Sequence, residues 1–128
     1  TLEDFVASSN GRMTLEVIGK SALDRGLFLV AVNALDTVQQ RQDFQAWQQV
    51  RRVALTDPVR GQGMLESFGD DVKVPIFIQA GIHGNEYEGV DAAMQLIERL
   101  ATTPNGADAE VDAILRRERY TFQHLVDA

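Results

Sequence analysis

The residues whose types and spacing could carry chemistry lie in one short stretch, Gly81-Ile82-His83-Gly84-Asn85-Glu86. Imidazole nitrogen and carboxylate oxygen are both zinc ligands, and a catalytic zinc site keeps one coordination position for water. Glycines on either side of the histidine allow a sharp turn that would bring His83 and Glu86 together. The stretch therefore predicts two ligands of a zinc site, His83 and Glu86.

Each of these two residues also has an ordinary structural interpretation. A histidine at the end of a strand often serves only as a hydrogen-bonding group, and a glutamate at a helix start suits the positive end of the helix dipole. The His-x-x-Glu spacing by itself arises by chance in many sequences. The context of a buried strand, a glycine turn and a helix favours the metal interpretation.

Composition excludes several other kinds of site. The 128 residues include 19 acidic and 12 basic side chains, a net charge of -7, which argues against nucleic acid as a partner. There is no cysteine, so a metal would depend on carboxylates and the two histidines, His83 and His124. No apolar run is long enough to predict a membrane span. No signal peptide is visible, and a secreted or periplasmic location stays open.

Hydrophobic periodicity places the stretch between a strand and a helix. Apolar strands that alternate with amphipathic helices predict an α/β fold, a mixed sheet with helices on both sides. Ligands of such sheets bind at the C-terminal edge of the strands. The predicted strands are Met13–Ile18 and Leu27–Val32, paired as an antiparallel hairpin, and Val72–Ile82; the predicted helices are Thr1–Ser9, Asp36–Leu55, Asn85–Ala101 and Ala107–Arg119.

Local signals set the ends of these elements. Asn85 is predicted to cap the helix after the glycine turn, with Glu88 completing a capping box. That places Glu86 at the first helical position, pointing back towards the histidine. The glycines of Arg60–Gly63 predict a flexible loop. Tyr120–Val126 fits either the end of a helix or a fourth strand.

The stretch from Gly81 to Gly89 resembles the zinc motif of the zinc metallocarboxypeptidase family, a His-x-x-Glu just after a central strand. The segment from Leu15 to Ser21, with Arg25 and the strand after it, is similar to the family's opening hairpin and its Ile-Gly-x-Ser sequence. The resemblance implies an incomplete zinc-carboxypeptidase-like fold, in which residues 1–128 form the N-terminal portion of the domain. It also implies a helical insertion at about residues 35–71.

The resemblance implies a zinc enzyme that hydrolyses the C-terminal peptide bonds of its substrates, with His83 and Glu86 as metal ligands. In the family, a third histidine ligand, a substrate-binding arginine and a general-base glutamate follow later in the chain. The Asn-Pro-Asp-Gly segment that precedes them is absent from these 128 residues. The parent protein is therefore expected to be an enzyme, and the isolated chain is expected to be inactive.

Two other functions remain open on the sequence. The string His83-Gly84-Asn85-Glu86 is also similar to the succinylglutamate desuccinylase and aspartoacylase group, which implies a zinc-dependent N-acyl amino acid deacylase. Alternatively, the chain is a non-catalytic binding or oligomerisation module, since an exposed sheet edge favours homo-oligomers. Phe44 and Trp47 are candidate contacts for such a module, with packing in the core as their alternative role. His124 of a neighbouring copy is a candidate third metal ligand.

Overall fold

The described part of the chain folds as a four-stranded mixed sheet with helices packed against it. The computed structural model describes residues 1–35, 37–68 and 74–124, and it describes side chains in 1–35, 37–68 and 75–115. In chain order the elements are α1 (Leu2–Ser8), β1 (Met13–Lys20), β2 (Gly26–Val32), α2 (Val38–Thr56), α3 (Pro58–Glu66), β3 (Val74–Ala80), α4 (Tyr87–Thr102), α5 (Ala109–Arg117) and β4 (Glu118–His124).

The strand order of the sheet is β1-β2-β4-β3. β1 pairs with β2 and β2 with β4 in antiparallel register, whereas β3 pairs with β4 in parallel register. The predicted α/β fold with a mixed sheet, incomplete and carboxypeptidase-like, is confirmed, and so is the predicted hairpin. Of the two interpretations of Tyr120–Val126, the strand is correct as far as His124. The predicted ends at Asp36, Val72 and Val126 lie outside the described residues.

The hydrophobic core lies between one face of the sheet and the helices α1, α4 and α5. Alternation along the strands places Met13, Val30 and Val32 on this face, where each is at most 3% exposed. On the opposite face, Phe77 of β3 is 57% exposed. Three helices thus cover one face of the sheet, and the residues buried in the cluster are Met13, Val30, Val32, Ala34, Ile97, Leu100, Ala101, Val111 and Leu115.

The α2–α3 pair corrects one prediction. Arg60–Gly63 was expected to be a loop, and it lies inside α3. Pro58 has the backbone angle of a first helical residue, and the Asp57 side chain accepts a hydrogen bond from the backbone N–H of Arg60 at 3.0 Å. Gly61 then packs directly on Ala54 of α2. Capping and close helix packing together outweigh the poor helix propensity of the two glycines.

A buried arginine, which no pattern in the sequence predicts, joins the start of β1 to α4. Arg12 is 3% exposed. Its guanidinium donates hydrogen bonds to the carbonyl oxygens of Leu100 and Thr103 and to Oδ1 of Asn105. These carbonyl groups belong to the last turn of α4 and the residue after it, where the helix has no further N–H donors. Arg12 therefore fixes the C-terminal end of the helix whose other end carries the candidate site.

Candidate metal centre

The loop between β3 and α4 turns sharply at the C-terminal edge of the sheet. Gly81 begins the turn with a φ of 77°, a conformation that glycine adopts without a steric penalty. The backbone N–H of Glu86 then donates to the carbonyl oxygen of His83 at 3.2 Å, which closes the turn. The glycine turn predicted between strand and helix is therefore present, and it brings residues 83 and 86 onto one side of the loop.

The side chains of His83 and Glu86 meet in this loop. The distance from His83 Nδ1 to Glu86 Oε2 is 3.0 Å, and the two side chains are 67% and 63% exposed. Both groups face solvent rather than the core, so neither is needed to satisfy a buried polar atom. The structure thus brings together the two residues singled out from the sequence, and it leaves them accessible to a ligand.

The start of α4 differs from the predicted capping box. The helix begins at Tyr87, its N-cap residue is Glu86, and that residue makes no side-chain hydrogen bond to the helix. The prediction of Asn85 as the cap, with Glu88 as its partner, is wrong, because the His83–Glu86 turn includes Asn85. Glu86 directs its carboxylate to the histidine instead of to the helix N–H groups. The N-terminal end of α4 still favours the charged carboxylate through the helix dipole.

The two donor groups match part of a zinc site in type and in spacing. Ligand atoms about 2.1 Å from a tetrahedral zinc are about 3.4 Å from each other. The 3.0 Å between Nδ1 of His83 and Oε2 of Glu86 is close to that separation, so a small side-chain movement would admit the ion. Among the residues that the structure describes, no group of three or more histidine, aspartate or glutamate side chains could hold a metal.

Two other segments reach the same edge of the sheet. In the parallel register of β3 and β4, Ala80 is paired with His124. β4 therefore ends beside the start of the His83–Glu86 loop. In the antiparallel register of β2 and β4, His124 lies beside Phe28. The turn between β1 and β2 therefore projects from the edge that carries the His83–Glu86 loop.

Hydrogen bonds of Ser21 explain the Ile-Gly-x-Ser sequence in this turn. The backbone N–H of Ser21 donates to the carbonyl oxygen of Arg25 at 2.8 Å. In return, Oγ of Ser21 accepts from the backbone N–H groups of Leu23 and Arg25 at 3.3 and 3.2 Å. Ser21 thus bonds to both the carbonyl group and the N–H of Arg25, so the serine of the motif stabilises the turn of the hairpin.

Comparison with known proteins decides the family. The family model described as zinc carboxypeptidase matches residues 1–125, nearly the whole chain. The chain belongs to the zinc carboxypeptidase family. The match includes both the hairpin and the His83–Glu86 loop. Among curated proteins, none matches the chain.

In the described part of the chain, no helix has both the length and the apolar character that a membrane span requires.

Proposed function

We propose that the protein containing this chain is a zinc-dependent carboxypeptidase that hydrolyses the C-terminal peptide bond of peptide substrates, with His83 and Glu86 as two of its zinc ligands. The observation that carries the proposal is the 3.0 Å approach of Nδ1 of His83 to Oε2 of Glu86 in an exposed loop at the strand edge. Membership of the family supplies the reaction class.

Each ligand would use a specific atom. His83 would bind the ion through Nδ1, which requires its ring proton to reside on Nε2. Glu86 would bind through its carboxylate, whose negative charge the N-terminal end of α4 favours. When bound, zinc supplies Lewis-acid chemistry, which polarises a carbonyl group and acidifies a water molecule. The general base, the substrate-binding arginine and the third ligand are proposed to lie beyond residue 128, so the 128-residue chain alone would not hydrolyse peptides.

We also propose how the chain is placed within the domain. Residues 1–128 would form its N-terminal portion, and the segment at about 35–71, which includes α2 and α3, would be an insertion into the family fold. Support for the insertion comes from the packing of α2, whose largest interface is with α3. The helical pair would then be an addition that leaves the sheet and the His83–Glu86 loop unchanged.

Metal content and substrate choice test the proposal together. The full-length protein should contain one zinc ion per chain by elemental analysis, and His83→Ala should lose it. The protein should cleave a peptide with a free C-terminal carboxylate and leave the same peptide with a C-terminal amide intact. Cleavage of N-succinyl or N-acetyl amino acids in place of peptides would instead support the deacylase function. A full-length protein without zinc, or with zinc unaffected by His83→Ala, would contradict the assigned ligands.

A further inference from the structure

The turn between β1 and β2 lies near the candidate metal centre, although the two are far apart in sequence. Only β4 separates β2 from β3 in the sheet. Adjacent strands are about 4.8 Å apart, so the start of β2 is about 10 Å from the end of β3. An extended peptide advances about 3.4 Å per residue. A peptide crossing the edge from the metal centre would therefore reach the turn after about three residues.

The backbone of this turn is held in one conformation. Both the N–H and the carbonyl group of Arg25 are hydrogen-bonded to Ser21. Asp24 has a φ of 62°, in the left-handed region, where aspartate is one of the more frequent residues besides glycine. The position of Arg25 relative to the sheet edge is therefore defined by the fold.

Among the described residues, the charges of the turn leave one cation without an ion-pair partner. Nζ of Lys20 lies 2.7 Å from Oδ1 of Asp24, so these two side chains neutralise each other. Arg25 is exposed, and within the described residues its guanidinium makes no ion pair. A guanidinium binds a carboxylate through two parallel hydrogen bonds, a geometry that an ammonium group does not offer. Arg25 thus presents an unused carboxylate-binding group at the edge of the site.

We propose that Arg25 binds an acidic side chain of the peptide substrate, about three residues N-terminal to the bond that is cleaved. This inference rests on the proposed carboxypeptidase function. A carboxypeptidase substrate has only one residue on the C-terminal side of that bond, so a peptide that crosses the sheet edge over the distance of about 10 Å between the end of β3 and the start of β2 would approach the turn with its N-terminal part. Arg25 would act as a specificity-determining residue with no part in the chemical step.

The test uses the full-length enzyme and two peptides that differ at one residue, about three positions N-terminal to the cleaved bond. One peptide carries Glu at this position and the other carries Gln. The ratio of their kcat/KM values should favour the Glu peptide. Arg25→Gln should lower that ratio about tenfold, mainly through a higher KM for the Glu peptide, because a charge-assisted pair is lost. Arg25→Lys should retain part of the preference. Lys20→Gln, in the same turn, should keep the ratio within about twofold of the wild-type value, because the Lys20 ammonium is already paired with Asp24 and makes no proposed hydrogen bond to the peptide.

The outcomes separate this inference from the proposed function. Hydrolysis of both peptides with the same ratio in the wild type and in Arg25→Gln would overturn the role of Arg25 while supporting the carboxypeptidase activity. An equal loss of preference in Lys20→Gln would also overturn it, because the effect would then come from the general charge of the turn. Failure of the wild type to cleave either peptide would overturn both proposals.

Discussion

Arg12, which precedes β1, donates a hydrogen bond through Nη1 to the carbonyl oxygen of Thr103, the residue that follows α4. The bond joins residues 91 positions apart in sequence. Because the positive guanidinium also lies at the negative end of the helix dipole, hydrogen bonding and electrostatics act in the same direction. The C-terminal end of α4 is therefore anchored to the hairpin, and the His83–Glu86 loop lies at the opposite end of the same helix.

Replacing this arginine should destabilise the protein. Arg12→Met leaves the buried carbonyl group of Leu100 and the partly buried one of Thr103 without their donor, and we expect the free energy of unfolding to fall by about 3 kcal/mol. Urea denaturation would measure the change. Arg52→Met, an exposed position on α2, is the matched control and should change stability by no more than about 0.5 kcal/mol. Similar losses in both variants would contradict the anchoring role of Arg12.

The crossing of α2 and α3 depends on the absence of a side chain at Gly61. A Cβ atom at this position would lie 2.6 Å from both Cα and Cβ of Ala54. Gly61→Ala should therefore force the helices apart and cost roughly 1–3 kcal/mol of stability. Gly63→Ala, two residues later in the same helix, would meet no atom within 4 Å and should stabilise α3 by up to about 1 kcal/mol. Thermal unfolding of the pair would show shifts of opposite sign, and a stabilised Gly61→Ala would refute the close packing.

Asp108 should contribute to acid sensitivity. Hydrogen bonds from Arg99, and from the backbone N–H groups of Val111 and Glu110, hold the pKa of Asp108 below its usual value. A carboxylate with a lowered folded-state pKa stabilises the protein above its unfolded pKa of about 4, and this contribution is lost as the pH falls through the folded pKa. Asp108→Asn should therefore lower the unfolding temperature at neutral pH and reduce its decline below about pH 4.

Unfolding temperatures measured from about pH 7 down to about pH 3 would test this expectation. Asp91→Asn, an exposed aspartate on α4, serves as the control. If the wild type and Asp108→Asn lose stability in parallel over the acid range, the interactions of Asp108 do not contribute to the pH dependence.

The two glutamates near the start of α4 should differ sharply in their effect on zinc. Glu86 lies 3.0 Å from His83 and Glu88 lies in the first turn of the helix. Glu86→Gln removes an anionic ligand, and we expect zinc affinity to fall by at least about 100-fold in the full-length protein. Glu88→Gln should leave the affinity within about threefold. Competition with a chromogenic chelator would measure both, and equal losses would show that charge alone, not ligation, retains the metal.

Much of the fold was predictable because each element carries a local signal. Period-2 and period-3.6 patterns located the hairpin and α4. The structure adds a capping box at the start of α1, where Thr1 and Asp4 cap each other. The pairing of His83 with Glu86 was also predicted from the sequence, since the flanking glycines permit the sharp turn that brings the two residues together. These features depend on residues that are close together in the chain.

Predictions failed where distant contacts outweigh local preference. Gly61 favours a loop by its residue type, and only its packing against Ala54 explains its position inside a helix. Asparagine is a more favourable N-cap residue than glutamate, which favours Asn85. The contact of Glu86 with His83 instead moves the helix start by one residue. Arg12 would be assigned to the surface by its type, and only the approach of Thr103 explains its burial. None of these three contacts leaves a periodic pattern in the sequence.

The position of β4 between β2 and β3 has a consequence for synthesis on the ribosome. β3 and the His83–Glu86 loop are translated before β4, yet in the described sheet β3 hydrogen-bonds only to β4. Parallel pairing through a helical crossover is non-local and therefore slow to form. Until residue 124 has left the exit tunnel, the nascent chain carries its histidine and glutamate beside a strand that lacks its hydrogen-bonded neighbour.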